Sequence, residues 1–151
     1  SKEALVEGMC HAGQVERTAS FSELANAPDL GAAMRQAMRN HVLRCPPEKA
    51  RMIVEIWAES SRNARVGAFT RQLDNEVLAG LTEIVKLARA RGAAPASLDP
   101  AFAARLMFSL VAGLFKRKAL EPQFDAEAEG AMALGVLDAL FAGALAPSAE
   151  G

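Results

Sequence analysis

The sequence predicts an all-α domain of six helices, the last two pairing with those of a second subunit in an intersubunit four-helix bundle. Three observations carry this. Alanine and leucine dominate a chain of 151 residues that is 51% hydrophobic and holds no tyrosine; with few β-branched residues, that composition favours helix over sheet. Apolar residues recur at steps of three and four, and no strand-like alternation appears. Two stretches, FAARLMFSLVAGLF (Phe102 to Phe115) and GAMALGVLDALFAGALA (Gly130 to Ala146), are apolar nearly all the way round.

Breakers and caps set the elements in order. The first helix is read from Lys2 to about Thr18, and Ser20, Ser22, Asn26 and Pro28 mark the loop after it. Asp29 is placed to cap a second helix that reaches about Leu43. Pro46 and Pro47 end it and open a third, because proline suits the first helical turn, and the third reaches about Arg62. The fourth starts near Asn63 or Ala64 and runs to Arg91, where Gly92 gives a C-terminal stop. Its stripe is Val66, Phe69, Leu73, Val77, Leu81, Ile84 and Ala88. At 1.5 Å per residue this helix is ~40 Å long, enough to be the central strut. Its other face, with Arg71, Asp74, Glu83 and Lys86, is expected to be wet. Asp99-Pro100 caps and starts a fifth helix, which runs to about Ala119 before Pro122. Asp125 caps the sixth, expected to reach about Leu145. The whole chain, 1–151, reads as one domain.

The bulk numbers narrow the function. A net charge of −1 gives no overall attraction to nucleic acid or to an anionic membrane. The opening stretch is too short to span a bilayer and has no signal-peptide pattern. Cys10 and Cys45 lie too far apart for a metal-type pair, which fits a reducing, cytoplasmic compartment. No P-loop, HExxH, nucleophile elbow or paired CxxC occurs. Two histidines are too few for a helical-bundle di-iron site. The reading is therefore not an enzyme, with no cofactor and no metal.

One chain of this size can bury one helix that is apolar on all sides; burying two with four others as cover is hard. A second copy is the economical cover, each C-terminal helix turning one face to its own core and one to its twin. The expected homodimer face is Phe102, Ala103, Leu106, Leu110 and Gly113 on the fifth helix, with Met132, Val136, Ala139, Leu140 and Gly143 on the sixth. Glycine inside a helix costs up to ~1 kcal/mol against alanine, so its repeated use points to close approach of helices. Arg105 and Asp138 either pair across the bundle or sit on a solvated edge.

Several phrases, in order, resemble the TetR-like transcriptional regulators. SKEAL (Ser1 to Leu5) is similar to the segment where that family's helix-turn-helix ends and its next helix begins. IWAESSRNARVGAF (Ile56 to Phe69) resembles its junction between two core helices. LARARG, a short loop, then LDPAFAARLMFSLVAGL resembles its dimerisation region, with Gly113 at a characteristic glycine position. The resemblance implies a homodimer that binds a palindromic operator and usually represses, and a small hydrophobic or amphipathic effector held in a cavity of each regulatory domain. It implies that residues 1–18 are the connector to a DNA-reading domain of three short helices, which these residues do not include. Operator DNA is then touched only through that domain.

A cavity of that kind needs mostly apolar walls and a few orienting polar groups. The candidates are Met34, Met38 and His41 on the second helix, Ile53, Ile56, Trp57 and Ser60 on the third, Phe69 and Leu73 on the fourth, and Met107 and Val111 on the fifth. Methionine suits a wall that adapts to its ligand. Side chains at such positions are more often plain core than ligand wall, His41 then being a satisfied core histidine and Trp57 a large filler. His11 on the connector is a weaker polar candidate. The two cysteines read as structural rather than redox-active. Lys116-Arg117-Lys118 reads as a solvated run complementing its own helix dipole. The alternative to a sensor is a structural helical dimerisation module with a solid interior.

Overall fold

The computed structural model describes residues 1–146; the last five positions of the expected domain, 147–151, lie outside the described residues. Six helices follow one another: α1 Lys2–Asn26, α2 Leu30–Met38, α3 Pro47–Ser60, α4 Ala64–Ala90, α5 Pro100–Leu120 and α6 Ala126–Phe141. A π turn, Arg39–Leu43, continues α2. No strand occurs among the described residues.

Caps do what local chemistry dictates. The Asp29 carboxylate accepts from Ala32 N–H at 2.9 Å, Asn63 from Arg65 and Val66, Asp99 from Ala101, and Asp125 from Glu127 and Ala128. Pro47 and Pro100 occupy first turns. Gly92 takes φ +73° after α4, where Gly92 N–H bonds Arg89 O and Ala93 N–H bonds Ala88 O, a Schellman stop.

Two boundaries differ from expectation. α1 continues past Thr18 through the Ser20–Asn26 stretch, because its polar side chains fold back on the helix instead of opening a turn. Thr18 Oγ1 donates to Gln14 O at 2.9 Å, and Asn26 Nδ2 donates to Ser22 O at 2.9 Å. Phe21 and Leu24 meanwhile join the core. The residue before Pro28, Ala27, is extended (φ −67°, ψ 134°), and the helix ends there. α6 stops at Phe141, short of Leu145, because Gly143 adopts φ +76° and a second Schellman pair forms, Gly143 N–H to Leu140 O and Ala144 N–H to Ala139 O.

α4 is the strut. α1 runs parallel to it, its start beside Asn63 and its end held by Arg91, which donates to Ala25 O at 2.7 Å and Ala27 O at 2.9 Å. Midway, the Phe21 ring lies so close to Gly80 that a Cβ there would stand 2.6 Å from it. α3 bridges α4 and α5, which also pack on each other, while α6 rests on α2, the π turn and α5. Two solid cores result. The larger gathers Leu24, Leu30, Met34, Ile84, Val85, Ala88, Leu98, Ala103, Met107, Leu137 and Leu140. The smaller holds Met38, Val42, Leu114 and Ala133.

Candidate functional site

The first turns of α1 are tied to the corner between α3 and α4. Lys2 Nζ meets Glu59 at 3.0 Å, Asn63 Nδ2 donates to Glu3 Oε1 at 2.9 Å, and Arg65 reaches Glu7 at 3.4 Å. Glu59 also holds Arg62 at 3.1 Å, and bonds from Lys2 and Arg62 keep its carboxyl below the ordinary glutamate range. The Glu3 carboxyl is also low, first through its own backbone N–H and then through Asn63. Val6 is buried beneath this polar ring. The corner itself is tight. Ser60 and Thr70 hydroxyls share a hydrogen bond of 2.6 Å, and a Cβ on Gly67 would stand 2.8 Å from Ser60 O.

The expected cavity residues divide into three groups. Met34, Met38 and Met107 are buried in the two solid cores, so their walls are closed by other side chains. Ile53, Ile56, Trp57, Phe69, Leu73 and Val111 are half-buried on α3, α4 and α5, three helices that pack pairwise. Ser60 is also half-buried, but its hydroxyl is spent on Ile56 O at 2.7 Å and on Thr70. His41 corrects the reading of an apolar stripe: it is exposed, with Nε2 3.4 Å from Ser20 Oγ. The π turn changes the helical register after Met38, so Val42 enters the core where His41 was expected. His11 is exposed as well.

The expected subunit face also divides. Met132 is 41% exposed, Gly113 is exposed, and Phe102, Leu106, Leu110, Val136 and Ala139 are half-buried. Ala103 and Leu140 are corrected: both are at 0% exposure inside their own chain's core and have no surface to offer a partner. Gly143 owes its glycine to the helix stop and to Pro95, whose Cγ would lie 2.8 Å from a Cβ. Within the chain Asp138 pairs with Arg35 of α2, and Arg105 is exposed on α5.

Lys118 departs furthest from its expected role as a solvated cation. It is buried, and its ammonium donates to Val42 O at 2.7 Å, Leu43 O at 2.5 Å and Cys45 O at 3.0 Å. It thus caps the end of the α2–π-turn segment rather than its own helix, with the Phe124 ring 5.3 Å away. Burial pushes its pKa below the ordinary lysine value. Beside it lies a cleft of about 430 Å³ between the α2–α3 and α5–α6 connections. A second, more open groove of about 520 Å³ runs along α1 at Val15. None of the eleven expected cavity residues lines either. The basic run at 116–118 was the one signal for Lys118, and nothing local distinguished its middle and ends. Cys45 is buried and Cys10 half-buried, and burial raises the Cys10 thiol pKa, the opposite of what an activated nucleophile needs. Among the described residues, no three His, Cys, Asp or Glu side chains gather to hold a metal, and no helix is long and apolar enough to cross a membrane.

This arrangement meets a family model over most of its length. Residues 32–142 match the model described as BetI-type transcriptional repressor, C-terminal. No curated protein and no solved structure matches the chain. With the all-helical fold and the match running from α2 to the end of α6, the chain belongs to the BetI-type C-terminal family of TetR-like transcriptional regulators.

Proposed function

We propose that this chain is the small-molecule-sensing domain of a dimeric, cytoplasmic TetR-like repressor that releases its operator when an effector binds. The observation that carries the reading is a group of large side chains left half-buried where α3, α4 and α5 pack on one another. Ile53, Ile56, Trp57, Phe69, Leu73 and Val111 stay half-buried on three mutually packed helices. Side chains of this size gain most by full burial, ~1.5–3 kcal/mol each, so leaving them incompletely covered supports a chamber for a hydrophobic or amphipathic effector. α1 is then the connector, and its polar tie to the α3–α4 corner gives the chamber wall a grip on it. A coupling of ~1–3 kcal/mol would change operator affinity ~5–150-fold. Operator contact itself belongs to an N-terminal DNA-reading domain.

Dimerisation is supported by surface area. The subunit exposes 8797 Å², whereas a compact monomer of its 16.0 kDa mass exposes about 7,400 Å². The excess, about 1,400 Å², is shared between the largely exposed front of α1 and the α5–α6 face, and the latter's part is in keeping with a homodimer interface. The α5–α6 face with Phe102, Leu106, Leu110, Gly113, Met132, Val136 and Ala139 is the place we assign to it.

Trp57 is the single tryptophan and reports on the chamber. A screen of small hydrophobic molecules by thermal shift and Trp57 fluorescence tests the reading. A true effector at one hundred times its Kd adds ~2.7 kcal/mol to stability and perturbs Trp57. The second reading, a helical dimerisation module without ligand, is favoured by the burial of Met34, Met38 and Met107. It predicts neither a thermal shift nor a Trp57 response with any compound.

A further inference from the structure

The geometry points to a second site, apart from the α3–α4–α5 chamber: the cleft between the α2–α3 and α5–α6 connections binds a small amphipathic carboxylate, with Arg51 holding the anion and Leu43, Leu120, Pro122 and Phe124 holding its apolar body. The cleft has about 430 Å³, the size of a small-molecule pocket. Lys118 forms part of its wall.

The charge balance chooses the ligand. The buried Lys118 ammonium meets three backbone carbonyls and no carboxylate. Those carbonyls close the α2–π-turn segment, and a helix C-terminus carries only about half a negative charge. About half a positive charge is left beside a low-dielectric wall, and buried charge without a counter-ion is costly. Arg51, on the exposed first turns of α3, adds a full positive charge and makes no ion pair among the described residues. The one acid lining the cleft, Glu121, is occupied by Arg117 at 3.0 Å.

The two cations have different tasks. All three ammonium donors of Lys118 are used, so it contributes field and not a hydrogen bond. Arg51 offers the planar fork that matches a carboxylate. The apolar wall explains why the ligand needs a hydrocarbon body: Leu120 is 62% exposed at the cleft and gains cover only when the cleft is filled. Because Lys118 staples the π turn to the end of α5, filling the cleft would clamp that staple.

Octanoate, octanol and octylammonium, titrated into the full chain and followed by amide NMR, test this. The expected result is that octanoate shifts amides at 43–51 and 118–126, while the alcohol and the amine bind at least tenfold more weakly. Arg51→Gln, an exposed change that leaves the fold intact, is expected to weaken octanoate about tenfold or more. Lys118→Met is checked by circular dichroism for folding before its binding is read. Equal shifts with octanol, or undiminished binding by Arg51→Gln, would overturn the proposal. Shifts confined to Trp57 and its neighbours would overturn it too, while supporting the chamber; silence at both places fails each separately.

Discussion

Asn63 and Glu3, sixty positions apart, share a hydrogen bond of 2.9 Å that fixes the first turn of α1 to the start of α4. The same Asn63 side chain accepts from Arg65 and Val66 N–H. One residue therefore caps the strut and holds the proposed connector. Asn63→Ala removes both functions. We expect a loss of ~1–2 kcal/mol in urea unfolding, the cap being the larger part. Hydrogen exchange in residues 3–8 should quicken more than elsewhere, whereas Glu3→Gln quickens it without the loss of the cap.

Acid should loosen the same end. Glu3 and Glu59 have folded-state pKa values below the ordinary range. Their stabilisation is therefore complete above the unfolded value and disappears as pH falls through the folded one. Amide exchange at the front of α1 is expected to rise in that acidic window before the α4–α5 core opens. Simultaneous opening of both regions would show that the tie has no separate stability.

Asp74 has the opposite sign. It is half-buried, and desolvation raises its carboxyl above the ordinary value. Stability is then greatest below the unfolded pKa and falls as pH rises through the folded one. Asp74→Asn should raise Tm at neutral pH, and the gain should vanish in acid. A gain that is independent of pH would locate the effect elsewhere.

Lys118→Met leaves the carbonyls of Val42, Leu43 and Cys45 without their donor, while filling similar volume. The expected cost is about 3 kcal/mol, well above that of a surface lysine. Lys116→Met, at an exposed position of the same helix, should change stability by less than ~0.5 kcal/mol. Urea titration of the pair checks the contrast.

How far the sequence reached follows from the range of the interactions involved. Asp29, Asn63, Asp99 and Asp125 were legible as caps because their partners lie two or three residues away. Pro47, Pro100 and Gly92 were legible because backbone geometry is a property of the residue itself. The end of α1 was not, since Thr18 and Asn26 satisfy themselves on the helix and Leu24 is kept helical by tertiary burial. His41 misled because one π turn shifts every later side chain around the axis. Ala103 and Leu140 share a periodicity with the open face and differ from it only by what α4 and α2 cover. Lys118 was out of reach for the same reason: its three acceptors are more than seventy positions away.

Gly113 and Gly135 separate the single subunit from the dimer. A Cβ at either position meets nothing within 4 Å in one chain. In an isolated subunit Gly113→Ala should therefore stabilise α5 by ~0.5–1 kcal/mol. If a partner helix approaches there, the same change weakens association. Unfolding of dilute protein, set beside sedimentation of concentrated protein, reads both effects.

The most direct measurement is sedimentation equilibrium of the unmodified chain from nanomolar to micromolar concentration. An α5–α6 face that joins two copies predicts a species of twice 16.0 kDa, dissociating only on strong dilution and more readily with Gly113→Ala. A 16.0 kDa particle at every concentration would contradict it.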